Sequence, residues 1–346
     1  MKKKICLAIL FWGILFVLYL RVNYVLQEKF LQGTSDTFVT KQFYHLEPDS
    51  VDVVFLGSSQ NVRGVSCMKL LEDYQISAFS IATSAQPLCA TYYYLVETLK
   101  KQHPRLLILD MSMLYERVKE DGFRRVCDNA PLSRNKLELM WEHMKYLGQK
   151  KGRKEGFRYF MSYLFPIMQF HDRWKELTWT DFEPYQRPNK VYRGNIHHTE
   201  SKPIEGMVIH EDDPPDDKEM VPNQLENFLR IAEYCKEKDI PLLLIKTPKL
   251  AWSWNRSVAT RELAQKYGLA FYDFNLQELF EEAGFDESMD FSDQSHVNLR
   301  GALKLTDWLG KYMMENYDLP KAELTKKDLE DLEGYHQVLE EVFGEG

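Results

Sequence analysis

Five short apolar runs punctuate an otherwise mixed chain: "VDVVFLG" (Val51–Gly57), "ISAFSIA" (Ile76–Ala82), "RLLILDMS" (Arg105–Ser112), "IPLLLIKTP" (Ile240–Pro248) and "LAFYDFN" (Leu269–Asn275). Each is nearly continuous in hydrophobic residues and bounded by turn formers, the pattern of strands buried on both faces of a parallel sheet. Between them lie stretches with helical spacing, "CMKLLEDY", "ATYYYLVETLKKQHP", "NQLENFLRIAEYCKEKDIP" and "NRSVATRELAQKYG". This alternation predicts an α/β doubly wound, flavodoxin-like parallel sheet of five strands, with helices on both faces. In such sheets ligands bind beyond the carboxyl ends of the strands, so the residues just after each run are where chemistry is expected.

Two stretches break the rhythm. From Leu114 to about Pro222 the chain is rich in Arg, Lys, Trp, Tyr and Phe. That is far too long for an ordinary connection and predicts a largely helical insertion, placed to roof the carboxyl side of the sheet. The end of the chain, residues 319–346, reads as an acidic amphipathic helix used for packing.

The amino terminus is of another kind. "ICLAILFWGILFVLYL", Ile5 to Leu20, carries no charge. It gives roughly 24 Å of helix, and continuing through Leu26 reaches the approximately 30 Å of a hydrocarbon core. A buried core helix is the alternative. Lys2, Lys3 and Lys4 before the run, against Arg21 after it, predict a cytoplasmic N-terminus and an extracytoplasmic domain. "LYLRVNYVLQ" offers no small-residue cleavage site, so the segment 1–26 is expected to stay as a single-pass cell-membrane anchor, with 27–50 as a polar stalk.

Composition narrows the classes further. The 346 residues hold 44 Lys and Arg against 52 Asp and Glu, a net charge of −8, with no clustered basic face for nucleic acid. Cys6, Cys67, Cys89, Cys127 and Cys235 show no metal-ligand spacing, and their odd number argues against a disulfide framework. They read as small buried apolar residues.

Two motifs carry chemistry. In "VVFLGSSQNVRG" a strand stops on Gly57, Ser58 and Ser59. A serine there sits where the amides of a helix's first turn point outward, although a helix cap would use the same residues. Far downstream, "MDFSDQSHVNLRGALKLTDWLGKYM" places Asp293 three residues before His296, on the loop leading into an amphipathic helix. At that spacing a carboxylate can accept a hydrogen bond from one imidazole nitrogen and leave the other free to take a serine's proton. A cap or a surface pair is the plainer use of the same two residues.

The order "GSSQ" after the first strand, "SIATSAQP" after the second and "DQSH" before the last long helix resembles the SGNH (GDSL-like) hydrolase superfamily, from about Asp52 to Met313 with the insertion excepted. The resemblance implies Ser59 as nucleophile, His296 as base, Asp293 as its orienting partner, and the backbone amides of Ser59 and Ala82 as the oxyanion hole. Ala82 stands where the family usually has glycine, and Asp110 and Ser112 stand near the usual asparagine. A carboxylate there would repel an oxyanion, so Asp110 is expected to brace a turn or bind a substrate hydroxyl. The resemblance extends to membrane-anchored bacterial members, DltD-like and AlgJ/AlgX-like. It thereby implies an acyl-bearing envelope glycan or polymer as partner, and a multipass membrane acyltransferase beside it.

Softer candidates for substrate binding are His171, Arg173 and Trp174 in "FHDRW", and Lys246, expected at the cleft rim after the fourth strand. Tyr192, Arg193, His197 and His198 form a second polar and aromatic cluster, expected at the surface. Adjacent histidines lack the further ligands of a metal site, and neither metal nor cofactor is expected. The sequence thus predicts a serine esterase or O-acyltransferase. The alternative is a non-catalytic envelope assembly or glycan-binding protein that keeps the fold.

Overall fold

The computed structural model describes residues 2–27, 36–183 and 191–344. The chain divides into two compact units, residues 32–129 with 188–346, and residues 1–31 with 130–187.

The first of these contains the sheet. Its strands are β1 (Val53–Gly57), β2 (Ala78–Ala82), β3 (Leu106–Asp110), β4 (Leu242–Lys246) and β5 (Phe271–Asp273). They run parallel in the order β2-β1-β3-β4-β5. All five apolar runs therefore form strands, in the arrangement expected of a doubly wound sheet.

Side chains alternate along each strand. Val53 and Phe55 of β1, Leu106 and Ile108 of β3, and Leu243 and Ile245 of β4 share one core with Leu70, Leu305 and Leu309 from the helices Cys67–Tyr74 and Leu299–Asn316. The intervening Val54, Leu56, Leu107 and Leu109 turn to the opposite face and are equally buried. There the helix Leu88–Thr98 packs on β1 and on the helix Pro222–Glu237. Burial on both faces is why the runs read as continuous rather than alternating. Each large side chain taken from water, such as Phe55, contributes about 1.5–3 kcal/mol.

Because β2 and β3 lie on opposite sides of β1, the topology switches beyond the carboxyl ends of β1 and β3, the place where an open α/β sheet has a crevice.

Residues 27–50 differ from the expected stalk. Although 28–35 lie outside the described residues, Asp36–Tyr44 is a helix whose Phe38, Val39 and Phe43 are buried, with the Phe43 ring 6.3 Å from that of Phe79 on β2. Its apolar face covers the β2 edge of the sheet. At the other end, Lys326–Phe343 is a helix capped by Thr325, and its Leu332, Tyr335 and Val338 pack on Met68, Leu71 and Leu299. The cysteines are free thiols, with Cys67, Cys89, Cys127 and Cys235 buried.

The second unit joins Lys2–Leu26, a continuous helix, to the middle of the insertion. Helices Arg134–Lys151 and Arg153–Leu164 form a hairpin turning at Gly152, followed by the short helices Ile167–Phe170 and His171–Lys175. The helix Lys2–Leu26 is long and apolar enough to cross a membrane. The flanks of the insertion, Leu114–Asn129 and 191–221, belong instead to the sheet-bearing unit.

Candidate active site

Gly57 ends β1 with φ of +144°, a conformation that side chains rarely adopt, and a Cβ there would lie 3.2 Å from the Asn61 amide nitrogen. The chain can therefore turn at once into the helix Ser59–Gly64. Ser59 stands at its first position, where amide N–H groups have no partner within the helix.

The Ser59 Oγ lies 2.8 Å from His296 Nε2. On the other side of the ring, His296 Nδ1 lies 2.9 Å and 3.0 Å from the two carboxylate oxygens of Asp293. Since an ionised carboxylate only accepts, Nδ1–H donates to Asp293, Nε2 carries the lone pair, and the Ser59 hydroxyl donates to it. The three residues singled out in the sequence thus meet in hydrogen-bonding order.

Local structure fixes them. Asp293 and His296 occupy a tight hairpin, Phe291–Asp293 with His296–Val297, rather than an irregular loop. The Ser295 N–H donates to Asp293 Oδ1 at 2.8 Å, closing the turn. Gln60 ties the two halves together: its amide donates to the Ser295 carbonyl at 2.7 Å and its oxygen accepts from the Thr247 hydroxyl. Asn195 clamps the helix Ser59–Gly64 from the other side. Its Nδ2 donates to the Asn61 carbonyl at 2.9 Å, and its Oδ1 accepts from the Cys67 N–H at 2.9 Å.

The electrostatics suit a base. Burial lowers the His296 pKa and the charges of Arg63 and Lys249 lower it further, outweighing the opposing pull of Asp293, so the imidazole lies below its ordinary 6.5. Burial alone would raise Asp293. Its hydrogen bonds from His296 and Ser295, with the charges of His296 and Arg63, hold it instead well below the usual carboxylate range. At neutral pH the pair is a carboxylate and a neutral imidazole. Burial pushes the thiols of Cys67 and Cys235 up to about 12, so neither competes as a nucleophile.

Arg63 is the residue that sequence reasoning missed. It lies four residues after Ser59, on the same face of the same helix, with Nη1 3.6 Å from Asp293 Oδ2 and 3.1 Å from His296 Nδ1. Both nitrogens are donors in the state described above, so the attraction is to Asp293 and the imidazole contact is a close approach of like-polarity groups. The signal was the i, i+4 spacing in "SSQNVRG". His198, expected at the surface, is half-buried; its pKa is lowered by burial and then by the charges of Arg63 and His296. Neighbouring His197 donates from Nδ1 to the Arg63 carbonyl at 3.1 Å. Tyr192 and Arg193 are likewise not free at the surface: Tyr192 packs on Tyr335, and Arg193 pairs with Asp328.

Other candidates fall elsewhere. Ala82 closes β2 level with Gly57. In the turn after it, Ala85 takes φ of +53°, and the Gln86 N–H bonds back to the Thr83 carbonyl. Asp110 is fully buried: Oδ1 accepts from the Ser112 N–H at 2.9 Å, and Oδ2 accepts from the Thr247 N–H at 3.1 Å and lies 3.0 Å from the Thr247 hydroxyl, whose one proton it shares with the Gln60 oxygen. Oδ1 thereby caps the turn after β3, and Oδ2 braces β3 against the end of β4. Ser112 is buried in the turn that Asp110 caps.

Lys246 does not line a rim. It is 0% exposed, its ammonium donates to the Thr247 carbonyl and lies 5.0 Å from the Trp252 ring centroid, because the chain after β4 folds back over it. Burial pushes it down to about 8, against the opposing charges of Asp110 and Asp273. His171, Arg173 and Trp174 belong to the unit built around the N-terminal helix. Arg173 donates to the Leu26 carbonyl at 2.7 Å and pairs with Asp181 at 2.8 Å, while His171 and Trp174 are exposed. A 440 Å³ cleft at the amino-terminal end of the strands, lined by Asp52, Ser77, Arg193 and Asp328, holds none of the triad.

No family model and no curated protein matches the sequence. Among solved structures, a Bacteroides fragilis protein described as a candidate acylhydrolase is similar over 84% of this chain and 98% of its own, at 11% identity and a TM-score of 0.39. A gut microbial diltiazem-metabolizing enzyme is similar over 78% of this chain and 48% of its own, at 16% identity and a TM-score of 0.27. The chain spans about half the length of that enzyme.

Proposed function

We propose that the protein is a serine-dependent esterase or O-acyltransferase of the SGNH type. The observation that carries this reading is the Ser59 hydroxyl 2.8 Å from His296 Nε2, with Asp293 2.9 Å from the other ring nitrogen. Ser59 Oγ attacks an ester carbonyl carbon while its proton passes to His296 Nε2, and the negative oxygen is held by amides at the start of the nucleophile helix. The C–O bond to the leaving alcohol then breaks, and that alcohol takes the proton from His296. Water or a second hydroxyl attacks the acyl-serine, giving up a proton to His296 in turn, and Ser59 is regenerated.

The expected substrate is an acyl-bearing envelope or exported glycan, acted on outside the membrane by a domain anchored through Lys2–Leu26, with a multipass acyltransferase as the expected partner. The supports are the serine–histidine–aspartate geometry for the reaction class and the apolar helix for the location.

A fluorophosphonate probe tests the reaction class. Labelling of the wild-type chain that disappears in Ser59→Ala supports it. A folded wild-type chain that binds glycan and stays unlabelled would establish the non-catalytic reading instead. Mass spectrometry of the Ser59 peptide after incubation with acetyl and D-alanyl donors identifies the group carried.

A further inference from the structure

The helix Lys2–Leu26 is exposed from Lys2 to Leu18, and from Tyr19 onward one face is seated in its own unit while Leu20 and Arg21 stay exposed. The free apolar part, Ile5 to Leu20, gives only about 24 Å of helix against a hydrocarbon core of about 30 Å. The difference, about four residues, carries the bilayer to the level of roughly Tyr24, and any tilt of the helix carries it further. On the reading of this helix as a membrane span, the protein packed around Tyr19–Leu26 must then share the depth of the bilayer interface.

That part of the structure has the right composition. Around the helix exit, Phe165 (41% exposed), Met168 (44%), Trp174 (64%), Trp179 (82%) and Phe182 (47%) present apolar and aromatic side chains outward. Two tryptophans this exposed are poor solutes in water but suit the headgroup region, where the ring is buried and the N–H stays wet. The polar groups beneath them are satisfied internally. Asn23 Nδ2 donates to the Tyr19 carbonyl at 3.0 Å and its Oδ1 accepts from the Ile167 N–H at 2.9 Å. Arg173 satisfies the Leu26 carbonyl at the helix end, and the Tyr24 hydroxyl donates to the Glu183 carbonyl at 2.6 Å. Between the outward aromatics, His171, Asp172, Lys175 and Glu176 are also exposed, so the segment presents apolar rings and charged ends together, the mixture that the headgroup region accommodates.

We infer that Phe165–Phe182 is a membrane-interface collar: a segment of the insertion that embeds in the lipid headgroup region around the exit of the N-terminal helix. The partner is the bilayer surface itself, argued from its continuity with the helix and from the length that the helix lacks.

The test uses the full-length chain in vesicles of phosphatidylcholine brominated at shallow or deep acyl positions, read by tryptophan quenching. Trp12, mid-span, reports on the helix. Trp12→Phe removes that signal, and Trp174→Ser with Trp179→Ser then removes the collar's. Both collar residues are exposed, so the fold should survive, and circular dichroism checks it. The expected result is that the Trp12→Phe chain is quenched about twofold more by shallow than by deep bromines, and that this excess disappears with Trp174 and Trp179. If Trp12 is quenched by deep bromines but removal of Trp174 and Trp179 changes nothing, the collar is overturned while the span stands. If Trp12 itself is not quenched, both fall.

Discussion

Arg63 Nη1 lies 3.6 Å from Asp293 Oδ2 and 3.1 Å from His296 Nδ1, so a permanent positive charge borders the proposed base and its carboxylate partner. It lowers the affinity of His296 for a second proton, in the same direction as burial. A base works only when neutral, so activity is lost as pH falls through its folded pKa, which lies below 6.5. The acid limb of kcat/KM should therefore fall below the ordinary imidazole value. Arg63→Met should move that limb to higher pH by about half a unit to one unit, and Arg63→Lys should largely restore it. An acid limb that stays fixed in Arg63→Met would show that the guanidinium does not act on the imidazole.

Asp293 fixes which imidazole nitrogen carries the proton. Asp293→Asn offers the ring an amide that can donate as readily as accept, so Nε2 spends time protonated and facing Ser59. Ester hydrolysis should drop by about 10³-fold with the thermal midpoint little changed. Retention of more than a tenth of the activity would remove the orienting role.

Asn195 is 1% exposed and joins the helix Ser59–Gly64 to the Cys67 N–H. Asn195→Ala strands that N–H and the Asn61 carbonyl away from water, so unfolding in urea should show a loss of about 2–4 kcal/mol. An unchanged midpoint would mean that solvent reaches the helix and the clamp is superficial.

The turn after β2 is held in a strained shape. Ala85 has φ of +53°, and a Cβ on Gly122 would come within 2.1 Å of the Ala85 carbonyl oxygen. Ala85→Gly should stabilise the fold by about 0.5–1 kcal/mol by relieving the left-handed backbone. Gly122→Ala should cost about 1–3 kcal/mol and displace the turn. Differential scanning calorimetry reads both; a stabilising Gly122→Ala would contradict the close approach.

The sheet was legible because its strands are short, apolar and buried on both faces, so the local pattern is also the global one. The serine and the Asp-x-x-His pair were legible because each lies at an element boundary, where sequence already tells which groups are free. Other placements were not. Lys246 was expected at a rim because it ends a strand, yet Trp252 and Thr247 close over it. Asp36–Tyr44 read as a polar stalk, since its burial depends on Phe38 and Phe43 meeting an exposed sheet edge that sequence does not display.

Sequence alone therefore determined the alternating framework, the apolar amino-terminal helix and the identity of the chemical groups. Folding decided which of those groups meet. Ser59 and His296 are 237 positions apart, and no local pattern encodes a 2.8 Å hydrogen bond between them. That contact arises only when the hairpin Phe291–Val297 packs beside the carboxyl end of β1, and the same packing brings Arg63 to the pair. Propensity and periodicity act over a few residues, whereas the charge and hydrogen-bond partners that make a serine reactive are set by distances in space.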